Sequence, residues 1–64
     1  MQRFKVEDRV VVFPRFVSLF RGGPATVIEV KLDPIRPIFN EYKIEFADGS
    51  TADVFEFQIR KITD

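Results

Sequence analysis

The chain contains no cysteine, no histidine and no tryptophan, and only three of its 64 residues are glycine. Without cysteine it forms no disulfide and offers no thiolate nucleophile, and without histidine it lacks both the common metal ligand and the one side chain that ordinarily titrates near pH 7. The sequence therefore predicts no catalytic residues, no metal site and no cofactor. No apolar run approaches the roughly 20 residues that span a bilayer, and Met1 to Val11 alternates charged with apolar residues where a signal peptide would carry an apolar core. The chain reads as soluble and cytoplasmic, with no membrane partner. Ten basic residues balance ten acidic ones. Through Arg21 the balance is five basic to two acidic, and the remainder is correspondingly acidic. Such an asymmetry is a diffuse dipole and falls short of the basic stripe of a nucleic-acid-binding surface.

At this length the chain reads as one domain, 1–64, which buries only about 60% of the surface its unfolded form exposes. Small domains add a disulfide, a metal or a partner subunit. With the first two excluded, oligomerisation remains.

What is present is a series of strand signals. Tyr42-Lys43-Ile44-Glu45-Phe46 alternates strictly between apolar and charged, the period of a half-buried strand. Asp48-Gly49 supplies a tight turn, and Thr51 to Phe55 follows as the partner strand. Upstream, Arg9 to Phe13 and Ala25 to Leu32 are β-branched runs bounded by Pro14, by Gly22-Gly23-Pro24 and by Asp33-Pro34. Val27-Ile28 breaks the alternation and calls for a bulge or two-sided burial. Pro34 and Pro37 argue against helix between Asp33 and Asn40. Glu56 to Ile59 is expected to form one helical turn before a short closing strand, Arg60 to Ile62.

The fold class predicted is all-β: a five-stranded, mostly antiparallel SH3-like barrel with one short helical turn before the last strand. Its expected core is Val10, Val12, Val27, Ile28, Val30, Tyr42, Ile44, Phe46, Val54, Ile59 and Ile62, with Phe4 plugging one end. The order Phe4 to Val10, Gly23 to Val30, Tyr42 to Gly49 and Glu56 to Ile59 resembles the Tudor-like and KOW-like small barrels over nearly the whole chain. Glu7 stands where those families carry glycine, so a first turn of different shape is expected. In size and layout the chain also resembles subunits of the plasmid-borne type II dihydrofolate reductases, through Asp8-Arg9-Val10, the glycine-opened second strand and Ile59-Arg60-Lys61-Ile62. That family's Val-Gln-Ile-Tyr pore strand is replaced by Thr51-Ala52-Asp53-Val54, so its ligand contacts do not carry over.

Eight phenylalanines and one tyrosine exceed what so small a core can hold. Phe13, Phe16, Phe20, Phe39, Tyr42, Asp53 and Phe55 are the candidate partner- or ligand-binding residues. Phe13 to Phe20 either covers the core or forms an interface, and the expected assembly is a homo-oligomer joined there with help from Phe39 and Phe55. Two further readings follow from the resemblance. A methylammonium cage would use Phe16, Phe39, Tyr42 and Phe55 with Asp53 or Asp48 as counter-charge. A KOW-like nucleic-acid surface, the less favoured reading, would use Arg9, Arg15, Arg21, Phe16 and Phe20. The function expected is thus a small non-enzymatic binding or assembly module that takes a protein or a small-molecule ligand, the alternatives that the resemblances imply being a pore-forming oligomeric enzyme of the type II dihydrofolate reductase kind and the KOW-like nucleic-acid module.

Overall fold

Strict alternation in Tyr42-Lys43-Ile44-Glu45-Phe46 sends three side chains to one face, and in the computed structural model, which describes residues 3–13 and 23–62, Tyr42, Ile44 and Phe46 are all buried. They lie on β3 (Glu41–Phe46), which pairs antiparallel with β4 (Thr51–Phe55) across Ile44 and Ala52 and across Tyr42 and Val54. The turn between them is closed by Gly49 N–H to the Phe46 carbonyl at 2.9 Å and by Phe46 N–H to the Ser50 carbonyl at 2.8 Å. Gly49 has φ +89°, in the left-handed region, as the last position of a three-residue hairpin loop demands. Asp48 Oδ1 accepts from the Ser50 N–H and hydroxyl at 3.0 and 2.6 Å, which fixes the turn from within.

The other elements are β1 (Arg9–Val12), β2 (Pro24–Lys31) and β5 (Ile59–Lys61), with short 3-10 turns at Pro37–Phe39 and Glu56–Gln58. The five strands form one antiparallel sheet in the order β4-β3-β2-β1-β5, and no ladder of hydrogen bonds joins β4 to β5. Instead, the Glu56–Gln58 turn carries the chain from one edge to the other. All five strands contribute to one core of Val10, Val12, Ala25, Val27, Tyr42, Ile44, Phe46, Val54 and Ile59, with Phe4 closing it. Among the described residues no second layer of strands or helices covers this face, and the sheet buries it by curling around it. Among the described residues no helix is long and apolar enough to cross a membrane.

Two expectations need correction. Ile28 is exposed, because the β2–β3 register shifts between Val27 and Glu29 and makes Ile28 the extra residue of a bulge. The bulge resets the alternation so that Val30, opposite Tyr42, packs against the core; Val30 and Ile62 are half-buried. The connection with two prolines forms no α-helix, as expected; it holds a single three-residue 3-10 turn, begun by Pro37, whose lost N–H is harmless at a first helical position. The other correction is that Glu7 does not reshape the first turn away from a glycine-type backbone. It adopts φ +79° itself, while Asp8 N–H reaches the Lys5 carbonyl at 3.0 Å and Glu7 N–H docks the turn onto Val27 O at 2.8 Å. Glu7 thus occupies the position of a type II turn that favours glycine.

Candidate functional site

Asp33 ties the β2–β3 connection into a fixed shape. Its Oδ1 accepts from the N–H groups of Ile35 and Arg36 at 2.9 and 2.7 Å, and its own N–H donates to Asn40 Oδ1 at 2.8 Å. The backbone donors of Arg36 first and Ile35 second hold the Asp33 carboxyl below its ordinary pKa. Asn40 then turns inward: its Nδ2 donates to Glu56 Oε2 at 3.2 Å, while the Glu56 N–H donates to the Asn40 carbonyl at 3.0 Å.

Glu56 Oε2 also receives the Tyr42 hydroxyl at 2.6 Å and the Arg3 N–H at 3.4 Å. Burial, and then the Glu56 hydrogen bond, push the Tyr42 phenol above its ordinary pKa. Nearby, Gln58 Oε1 caps the Phe55 N–H at 2.9 Å. Asn40, Glu56 and Gln58 are all buried. Residues of these types are seldom buried unless every polar atom finds a partner, and no buried side-chain nitrogen or oxygen among the described residues lacks one.

The consequence is an inverted polarity at the two 3-10 turns. Asn40, Glu56 and Gln58 point in, whereas their chain neighbours Phe39, Phe55 and Phe57 point out, with 39%, 37% and 37% of their surface exposed. The three rings touch. Phe55 and Phe57 are stacked at 5.6 Å and 9°, and Phe39 meets each edge-on, at 6.0 Å from Phe55 and 6.4 Å from Phe57. The Arg36 guanidinium carbon lies 5.9 Å from the Phe39 ring centre. Ile35 and Ile38, on the connection tied by Asp33, are 83% and 57% exposed.

The candidate residues named from sequence separate into five groups. Phe39 and Phe55 come together in this cluster. Asp53 lies on the outer side of β4, two residues from Phe55, with Oδ1 3.9 Å from the Lys31 ammonium. Tyr42 is fully buried and edge-on to Phe4 at 5.3 Å, so its ring offers no face to a ligand. Phe13 is half-buried just past β1, its N–H bonded to the Gln58 carbonyl at 2.9 Å. Phe16 and Phe20 lie outside the described residues, as do Arg15 and Arg21 of the nucleic-acid reading. The cage is not assembled from the residues named for it, because Tyr42 is in the core and the Phe39 and Phe55 rings pack on each other. Centroid separations near 6 Å are direct ring contact and leave no room for an ammonium group between them.

Sequence reasoning missed Phe57, Arg36 and the polar hub. The signal available was Phe55-Glu56-Phe57-Gln58 itself, an alternation of aromatic and polar residues that sets the rings on one side and the polar groups on the other. No protein-family model, no curated protein and no solved structure matches the chain.

Proposed function

We propose that this chain is a non-enzymatic assembly module, an SH3-like small barrel of the Tudor-like or KOW-like kind, that associates with a second copy of itself through Phe39, Phe55 and Phe57. The observation that carries the reading is the inverted polarity at the two 3-10 turns. A sequence that buries Asn40, Glu56 and Gln58 while leaving the intervening phenylalanines outside sets aside stabilisation that burying the rings would provide. An exposed cluster of large apolar side chains marks an interaction surface.

Charge around the cluster favours a self-complementary contact. Arg36 stands beside Phe39, and Glu41 is the cross-strand neighbour of Phe55. A two-fold axis near the rings would set each Arg36 against the other copy's Glu41, the isologous pattern of most small homodimers. About a third of each ring remains to be covered, worth roughly 0.5 to 1 kcal/mol apiece, with Ile35 and Ile38 adding about 1 to 2 each. Counted on both copies this is about 7 to 14 kcal/mol, and set against the several kcal/mol lost on association it gives a weak dimer of roughly sub-millimolar strength.

Sedimentation equilibrium tests the reading. The wild-type chain is expected to dimerise at hundreds of micromolar, and Phe57→Asp, which would bury an unpaired carboxylate at the contact, to remain a folded monomer. A wild-type monomer at every accessible concentration would overturn the proposal.

A further inference from the structure

Electroneutrality hides two poles. On the N-terminal arm, β1 and β5, five described cations, Arg3, Lys5, Arg9, Arg60 and Lys61, face only Glu7 and Asp8. Between Glu29 and Glu56 the balance reverses, with seven carboxylates to three cations. The fold thus gathers positive charge on the N-terminal arm and on the edge of the sheet formed by β1 and β5.

A concavity of about 320 Å³ lies there, lined by Arg3, Phe4, Lys5, Asp8 and Lys61. Phe4 is 3% exposed and supplies a rigid apolar wall, packed edge-on against Tyr42. The single carboxylate is already engaged. Asp8 Oδ2 accepts the Lys5 N–H at 3.1 Å, and Oδ1 lies 3.8 Å from the Lys61 ammonium, on a side chain only 10% exposed. The Arg3 guanidinium carbon lies 5.5 Å from the Phe4 ring centre, a contact that steadies the long side chain beside the cavity. Among the described residues no carboxylate is within ion-pair distance of the Arg3 guanidinium or the Lys5 ammonium.

We propose that this concavity binds a small ligand through a phosphoryl dianion. Three cations against one committed carboxylate leave an excess of two charges, which matches a phosphate monoester. The planar fork of an arginine combined with the point charges of lysines is suited to its oxygens. The volume is at the lower end of small-molecule sites, enough for a phosphoryl group and a fragment attached to it. A nucleic-acid strand would need a longer track of cations interleaved with stacking rings.

The test is an amide-detected NMR titration of the whole chain with inorganic phosphate at constant ionic strength, with chloride as the balancing anion, and a parallel titration with a single-stranded oligonucleotide. Saturable shifts confined to residues 3–8 and to Lys61, at about millimolar phosphate, are expected. Lys5→Gln and Lys61→Gln, both at exposed positions, should each weaken binding by about tenfold, as the loss of one charge-assisted contact implies, with an unchanged melting temperature. Shifts that never saturate, or affinity unaltered in both variants, would overturn the site. Oligonucleotide binding at least tenfold tighter than phosphate, with shifts spreading over Arg9 and Arg60, would overturn the small-ligand assignment in favour of a strand.

Discussion

The Tyr42 hydroxyl donates a 2.6 Å hydrogen bond to Glu56 Oε2, joining the start of β3 to the 3-10 turn that carries Phe57. Both residues are buried, and the same carboxylate oxygen takes Asn40 Nδ2 at 3.2 Å. One oxygen therefore holds together the strand, the end of the β2–β3 connection and the turn before β5. The outward placement of the three phenylalanines depends on it.

Glu56→Ala should cost about 2 to 4 kcal/mol, since it strands the Tyr42 hydroxyl and the Asn40 amide in the core without their acceptor. Glu56→Gln keeps an acceptor oxygen and should cost less, about half as much, because the charge-assisted bond becomes a neutral one. Urea midpoints of the two variants check this. Equal losses would mean that shape rather than the hydrogen bonds matters at this position.

The pH dependence follows from Tyr42. Its folded pKa is raised above the ordinary 10.0, so the protonated phenol is favoured by folding. That contribution is fully present below pH 10 and is lost as pH rises through the folded value. With no histidine or cysteine, no side chain titrates between the carboxylates and the phenol in their ordinary ranges. The expected profile of urea midpoints is flat from about pH 6 to 9 and falls steeply by about pH 11, and Tyr42→Phe should flatten the alkaline limb. A mutant that keeps the same limb would assign it to the lysines.

How much of this was legible in the sequence depended on whether neighbours alone decide a residue's environment. Ile44 and Phe46 were placed correctly because period two is local to the strand, and Gly49 because a turn is local to four residues. Ile28 was misplaced: the sequence showed the broken alternation, but only the β3 partner settles which residue becomes the bulge. Phe39, Phe55 and Phe57 were harder, since the general preference sends phenylalanine in and glutamate out. That preference is reversed by a partner set, Tyr42, Asn40 and Glu56, assembled from two segments 14 to 16 residues apart.

Turn chemistry gives opposite predictions at two positions. At Gly49 nothing lies within 4 Å of where a Cβ would be, so Gly49→Ala meets no clash and its cost, about 1 kcal/mol or more, is that of φ +89° alone. At Glu7, φ +79° is borne by a residue with a Cβ, and Glu7→Gly relieves about 1 to 2 kcal/mol of strain against 0.5 to 1 of added chain entropy. A net gain of about 0.5 to 1 kcal/mol should raise the melting temperature by several degrees in a domain of this size. A lower melting temperature would show that the glutamate side chain contributes more than the backbone loses.

The two faces of β3 should respond differently. Ile44→Ala removes a fully buried side chain and should cost about 2 to 5 kcal/mol, comparable to the whole stability of so small a domain, while Glu45→Ala should change little. Thermal unfolding of the pair distinguishes them, and similar behaviour would contradict the burial of the inward face.

Contact between copies at the phenylalanine cluster is the central claim, and an isotope-filtered NOE experiment on an equimolar mixture of labelled and unlabelled chains at hundreds of micromolar observes it directly. Intermolecular NOEs should connect the ring protons of Phe39, Phe55 and Phe57 to one another and to the Ile38 methyls. Their absence in a sample shown to be dimeric, or NOEs confined to other residues, would contradict the assignment of this surface.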